Sequence, residues 1–224
     1  MTEFLLIRHA INDWVNTGRL AGWTPGVHLN QEGKAQAVAL GERLARSQLT
    51  AIYSSPLERT METADAIAAH YPGLTAQPLA DIGEVRYGEW QGAKLSHLRR
   101  DKLWEIVQNY PSRARFPGGE AIRQAQARAV DALETLATQY PNGRVVAVSH
   151  SDVIKLIVAH YLGAHLDLFQ RIAISPASIT MIYLGSGRPT IGCVNDTSHL
   201  PAPPPLARQP GPWERMRHRL ARRR

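Results

Sequence analysis

Two histidines end apolar runs. His9 closes Phe4-Leu5-Leu6-Ile7-Arg8-His9, and His150, 141 positions further on, closes Arg144-Val145-Val146-Ala147-Val148-Ser149-His150. A neutral imidazole can attack phosphorus and carry the phosphoryl group covalently. Arg8 beside it offers a rigid fork of donors matched to phosphate oxygens. Taken alone, the Arg8-His9 pair reads equally well as a charged strand end facing water. His150 shifts the balance: Ser149 and Ser151 flank it, and a helix starting there turns unpaired N–H groups and a positive dipole end toward any anion. The competing reading makes Ser149 or Ser151 a simple helix cap and His150 a bystander. Arg59, in Ser54-Ser55-Pro56-Leu57-Glu58-Arg59-Thr60, falls in the first turn of a helix that follows a strand directly. It can reach back over the same sheet edge, although most helix arginines are simply solvated. Together these residues outline an anionic site that handles phosphate.

Such a site needs strands that end side by side. Residues 3–7, 51–54 and 144–148 read as short buried strands, the last a run of valines and alanine suited to a sheet covered on both faces. Helical patterns separate them. Asn30 caps one that runs through Gln36, Leu40 and Leu44. Ser55-Pro56-Leu57-Glu58 has capping-box spacing with proline at the first helical position. Further helices are expected over 120–140, closed by Pro141-Asn142-Gly143, and from just after His150 to Gly163. Segments 177–184 and 190–194 read as late strands joined by a glycine-proline turn. The alternation predicts a three-layer α/β/α sandwich on a mostly parallel sheet, with ligands bound beyond the carboxyl ends of the strands. Residues 93–119, with a helix over 94–108, read as a cap-like insertion lying over those ends.

Five runs occur in order: Leu6-Ile7-Arg8-His9-Ala10; Tyr53-Ser54-Ser55-Pro56-Leu57-Glu58-Arg59-Thr60-Met61-Glu62-Thr63-Ala64; Gly83-Glu84-Val85-Arg86-Tyr87-Gly88-Glu89-Trp90-Gln91-Gly92; Phe116-Pro117-Gly118-Gly119-Glu120; and Val145-Val146-Ala147-Val148-Ser149-His150. In combination they resemble the histidine phosphatase superfamily, in the branch that holds cofactor-dependent phosphoglycerate mutases and small-molecule phosphatases. The stretches 23–29 and 194–200 further resemble a phosphomutase-labelled group within it. The resemblance implies that His9 is the nucleophile, that Arg8, Arg59 and His150 line the phosphate pocket, and that Glu84 gives a proton to the leaving oxygen. Glu89 is the competing carboxylate. The sequence departs from the family where Ala10 replaces a glycine, Asn12 a hydroxyl residue and Val15 an asparagine near the phosphate. Asn12 and Asn16 are the substrate-binding residues able to stand in. Phosphatase and mutase share the phosphohistidine. The family's mutases carry a longer insertion after the acid, whereas sixty-five residues separate Glu84 from His150 here. That span favours hydrolysis of a small phosphorylated metabolite.

Composition excludes other classes. At 224 residues and 44% hydrophobic, the chain can bury a full core. The single cysteine, Cys193, rules out a disulfide framework. Ligation of a metal by His9, His150, Glu84 and Asp13 is disfavoured by Arg8 and Arg59, which repel a cation, and by the lack of ligand spacing; no cofactor is needed. The N-terminal residues do not read as a secretory leader, and no apolar run is long enough to span a membrane, so a cytoplasmic location is expected; a homodimer is compatible with the sequence. Of the net charge of +7, residues 201–224 supply +6, with seven arginines against Glu214. The catalytic domain, 1–200, is therefore nearly neutral. The Pro/Arg-rich tail, with Trp213, Met216 and Leu220 at helical spacing, is expected to be mobile and able to touch anionic surfaces. A binding module built on that tail is the alternative from a different class.

Overall fold

In the computed structural model, which describes residues 1–201, six strands form one mixed sheet in the order β3-β2-β4-β1-β5-β6. The strands are β1 (Thr2–Arg8), β2 (Ala51–Ser54), β3 (Ala76–Pro78), β4 (Arg144–Ser149), β5 (Ile179–Leu184) and β6 (Thr190–Asp196). β3, β2, β4 and β1 run parallel, and β5 and β6 are antiparallel. The helices are α1 (Asp13–Asn16), α2 (Gln31–Leu44), α3 (Glu58–Ala68), α4 (Leu95–Leu98), α5 (Lys102–Asn109), α6 (Ile122–Gln139) and α7 (Ser151–Tyr161).

Alternation along the strands divides the core into two layers. Leu5, Ile7, Ile52, Val146 and Val148 pack with Ala37, Leu40, Leu44, Ala64 and Ile67 of α2 and α3. Phe4, Leu6, Val145 and Ala147 face Ala125, Leu133, Ile154 and Ile157 of α6 and α7, and this second layer continues into the 93–119 segment through Leu98, Val107 and Phe116. The expected α/β/α sandwich is thus present, with three parallel and two antiparallel strand pairings. Asn30 caps α2 as predicted, accepting from Gly33 N at 2.9 Å. A Cβ on Gly33 would sit 2.0 Å from Ile11 O. This close approach seats the start of α2 against the loop that follows His9.

Three local expectations are corrected. Helix α3 begins at Glu58 with Leu57 at the cap position and no side-chain cap. Ser55 does not close a capping box, because its hydroxyl bonds to His150 Nε2 at 2.8 Å. The helix expected over 94–108 is broken into α4 and α5 at Asp101, whose carboxylate accepts from Leu103 N at 2.8 Å and restarts the helix as an N-cap. Strand β5 starts two residues late: Ala177 takes a left-handed turn (φ 56°) and donates its N–H back to Arg8 O at 3.1 Å. Edge strand β3 and helix α1 were not foreseen; each spans four residues or fewer. Among the described residues, no helix is long and apolar enough to cross a membrane. The tail reading concerns residues that, from 202 on, lie outside the described ones.

Candidate functional site

Strand order builds the site. The chain leaves β1 and returns to β2 on the far side of β4, so the carboxyl ends of β2, β4 and β1 lie adjacent and parallel. Arg8 pairs with Ser149 and Ser54 with Val148. The next residues continue the ladder, with His9 N donating to Ser149 O and Ser55 N to Val148 O, both at 2.9 Å. Ser55, His150 and His9 thereby emerge in a row at the sheet edge where a doubly wound fold binds ligands.

Hydrogen bonds fix the two imidazoles in defined tautomers. His9 Nδ1 lies 2.8 Å from Ala10 O, which only accepts, so Nδ1 carries the proton and Nε2 keeps its lone pair. Arg59 Nη2 donates to His150 Nδ1 at 3.2 Å and to Gly22 O at 2.8 Å, which leaves the His150 proton on Nε2, facing Ser55 Oγ. Both rings are neutral. Burial, and then the charges of Arg59 and Arg8, hold both histidines well below the ordinary histidine value. The rings meet edge to face with centroids 5.3 Å apart.

Arg8 Nη1 donates to Ile174 O at 2.7 Å. Arg8 Nε, Arg59 Nε and Nη1, and Asn12 Nδ2 are buried N–H groups with no partner. Unmatched donors of this kind cost about 1–3 kcal/mol each, more when charged. All three residues line the same cavity as His9, about 310 Å³ in volume. Glu84 lines it too, with Oε1 accepting from Val85 N at 2.9 Å and Oε2 3.7 Å from His150 Nδ1. Burial, reinforced by the negative charge of Asp152 and opposed by Arg59 and Arg8, lifts its pKa to about 7. A neutral histidine, two guanidiniums and a carboxyl group protonated near neutrality can accept, hold and release a phosphoryl group.

The sequence-predicted residues therefore come together, with exceptions. His150 is fully buried behind His9 and Arg59 and does not form part of the cavity wall, because both of its ring nitrogens are taken by Arg59 and Ser55. Asn12 caps α1 through Oδ1, which accepts from Val15 N at 3.0 Å and leaves its amide N–H₂ toward the site. Asn16, at the far end of α1, is exposed and absent from the wall. Glu89 is exposed and also absent, which leaves Glu84 as the carboxyl group of the pair in the cavity. Asp13 is exposed and accepts from Asn30 Nδ2 at 2.9 Å; among the described residues no set of three or more His, Cys, Asp or Glu side chains is placed to hold a metal.

Sequence reasoning missed the supports. Tyr87 OH donates to Asp152 Oδ2 at 3.0 Å, and Lys155 Nζ reaches Asp152 Oδ1 at 3.2 Å and Gln170 Oε1 at 3.3 Å. The Glu84 carbonyl accepts from Trp23 Nε1 at 2.6 Å and from Arg128 Nη2 at 3.0 Å. Tyr87 stood in a quoted run, and Asp152 stood two positions past His150. Only their spatial convergence gives them roles.

Comparison with known proteins agrees with this geometry. A family model, the histidine phosphatase superfamily (branch 1), matches residues 4–197. The chain is 32% identical over 203 residues to phosphoserine phosphatase 1 of Hydrogenobacter thermophilus, covering 89% of this chain and 95% of that one. It is 31% identical over 206 residues to a metal-independent phosphoserine phosphatase of Arabidopsis thaliana, covering 89% and 84%. Its fold superposes on a mutant phosphoserine phosphatase of Entamoeba histolytica in complex with phosphoserine with a TM-score of 0.82, at 26% identity, covering 89% of this chain and all of that one.

Proposed function

Because the chain belongs to the histidine phosphatase superfamily (branch 1) and is a phosphoric monoester hydrolase, we propose that it hydrolyses a small phosphorylated metabolite by way of phosphorylated His9. One observation carries the assignment of roles: the unpartnered buried N–H groups of Arg8, Asn12 and Arg59 belong to residues that share one cavity with the free lone pair of His9 Nε2. Phosphate oxygens would satisfy those donors. His9 Nε2 attacks phosphorus, the bond from phosphorus to the ester oxygen breaks, and the Glu84 carboxyl group gives its proton to the departing oxygen. Water then attacks the phosphohistidine, the N–P bond breaks, and the Glu84 carboxylate takes the proton of the water. His150 serves as a positioning residue that holds Arg59 and lies edge-on to His9.

Residues 1–200 form the catalytic domain, 93–119 its cap, and 201–224 a basic appendage. The relatives named as metal-independent and phosphoserine phosphatases support a reaction without metal, and make L-phosphoserine the reference substrate. The free thiol of Cys193 fits a cytosolic setting.

Brief mixing with a ³²P-labelled phosphomonoester should give a phosphoprotein that survives alkali and is lost in acid. His9→Ala and His9→Gln should give none and should lose steady-state turnover while retaining the native melting transition. Rapid turnover by either variant would remove His9 from the nucleophile role.

A further inference from the structure

We propose that the cavity's outer chamber selects phosphate esters whose alcohol is apolar and planar, such as an aryl-alkyl group, over charged amino-acid or sugar-acid esters. The inference rests on the phosphatase reading and specifies its leaving group.

The first observation is the wall. Beyond the phosphate-holding end, the cavity is lined by Leu95, Leu98, Trp104 and Phe116 from the 93–119 segment and by Trp14 and Leu20 from the stretch after β1. Trp90 stacks on Trp104 at 6.2 Å and meets Phe116 edge-on at 5.3 Å, so this wall is a continuous aromatic surface. Trp14, Leu20, Leu95 and Trp104 are only partly buried. Apolar groups that water can reach inside a concavity gain most from an apolar ligand.

The second observation is where the basic side chains go. Lys94, His97, Arg99, Arg100, Lys102, Arg113 and Arg115 are the basic side chains of the insertion, yet all are exposed and none lines the cavity. Arg99 lies toward Trp104 and Arg113 toward Tyr110 as cation–π pairs at 6.0 and 5.7 Å. Arg19 does line the cavity, but its guanidinium is stacked on Trp14 at 4.7 Å.

The third is the contrast in polar satisfaction. The unpartnered buried donors along this cavity, among the described residues, belong to Arg8, Asn12 and Arg59. Asp152, Lys155, Gln170 and Tyr87 are instead bonded to one another, and Ser151 Oγ donates to Ile174 O at 3.4 Å. An ammonium on the substrate would meet an Asp152 carboxylate already paired with Lys155, and a second carboxylate would meet the negative charge of Asp152. A phenyl group would displace only water. The cavity of about 310 Å³ sits at the small end of the range for ligand pockets, enough for a phosphate and one ring.

The test compares kcat/KM of the full chain for 2-phenylethyl phosphate, ethyl phosphate and L-phosphoserine. The first two are unactivated alkyl esters, so their ratio reports the outer chamber rather than the ease of bond cleavage. The expected preference for 2-phenylethyl over ethyl phosphate is about 30–100-fold, the effect of burying a phenyl-sized group. Trp104→Ala should reduce that ratio by about fivefold or more. A ratio below about threefold, or a higher kcat/KM for L-phosphoserine than for 2-phenylethyl phosphate, would overturn the inference and leave the phosphatase reading intact. Absence of phosphate release from all three esters would instead defeat the phosphatase reading on which it rests.

Discussion

At the scale of single residues, two opposite demands are met by burial. His9 must be neutral to attack phosphorus, and Glu84 must be protonated to release an alcohol. Burial depresses the first and raises the second to about 7, so both groups hold their working forms in mildly acid solution. Arg59 and Arg8 keep the histidine neutral while limiting the rise at Glu84. The expected kcat/KM for an unactivated alkyl phosphate is flat in mild acid and falls about tenfold per unit above a pH of about 7, where Glu84 has lost its proton. Glu84→Gln should cost about 10²–10⁴-fold on that substrate and much less on p-nitrophenyl phosphate, whose leaving group needs no proton. Equal losses on both would assign Glu84 a structural role. The same group predicts a stability effect of opposite sign. The folded chain keeps the Glu84 proton up to about 7, while the unfolded chain releases it near 4.5, so this group's contribution to stability declines as pH rises through that window. Glu84→Gln should therefore be more stable than wild type by about 1–3 kcal/mol near a pH of about 8, and equal to it in acid, in denaturant titrations at the two pH values.

At the scale of elements, the acid is positioned by an arginine of α6 that does not itself line the cavity. Arg128 on α6 donates to the carbonyls of Asp81 (2.6 Å) and Glu84 (3.0 Å) and pairs with Glu120 at 2.7 Å. Glu120 in turn accepts from Arg86 N at 2.8 Å. A Cβ at Gly88 would lie 2.0 Å from Pro117 O, so the Gly83–Gly92 and Phe116–Glu120 runs are pressed together. Arg128→Ala strips a partner from a mostly buried carboxylate and should cost about 2–4 kcal/mol of stability. It should also lower kcat about tenfold with little change in KM and steepen the selectivity for p-nitrophenyl phosphate, since a misplaced acid hurts poor leaving groups most. A loss of stability with kcat and leaving-group selectivity unchanged would limit Arg128 to scaffolding. Sequence reading reached the strand-terminal residues Arg8, His9 and His150 because strand ends are local signals. Arg128 was invisible because its partners lie 8 and 44 positions away across a turn. Ser55 was misread because a hydroxyl with capping spacing found a partner 95 positions along the chain. The 93–119 segment read only as a cap-like insertion, because it reaches the cavity through apolar side chains, Leu95, Leu98, Trp104 and Phe116, which look like core in a sequence.

At the scale of the whole molecule, the question is what accepts the phosphoryl group. Parallel strands β2, β4 and β1 bring the site together at one sheet edge, and the chain from Glu84 to His150 must both roof it and return as α6 and β4. Of the sixty-five residues between them, α6 and β4 take a large share, leaving α4, α5 and Phe116, with Ile122 at the start of α6, to line the cavity. A mutase has to retain a bisphosphorylated intermediate while it reorients, which calls for a second cationic pocket facing the first. Here the seven basic side chains of residues 93–119 are exposed, and the wall opposite the phosphate end is aromatic. Among the described residues, beyond Arg8 and Arg59, Arg19 is the basic residue of the cavity lining, and its guanidinium is stacked on Trp14, so the lining holds no cationic cluster to keep a second phosphate from diffusing away. With 3-phosphoglycerate, released phosphate should therefore match substrate consumed, and addition of 2,3-bisphosphoglycerate should not speed its loss. Rapid formation of 2-phosphoglycerate that depends on the bisphosphate, with negligible phosphate release, would show that the cap closes a transfer site and that the aromatic wall is a seal instead of a binding surface.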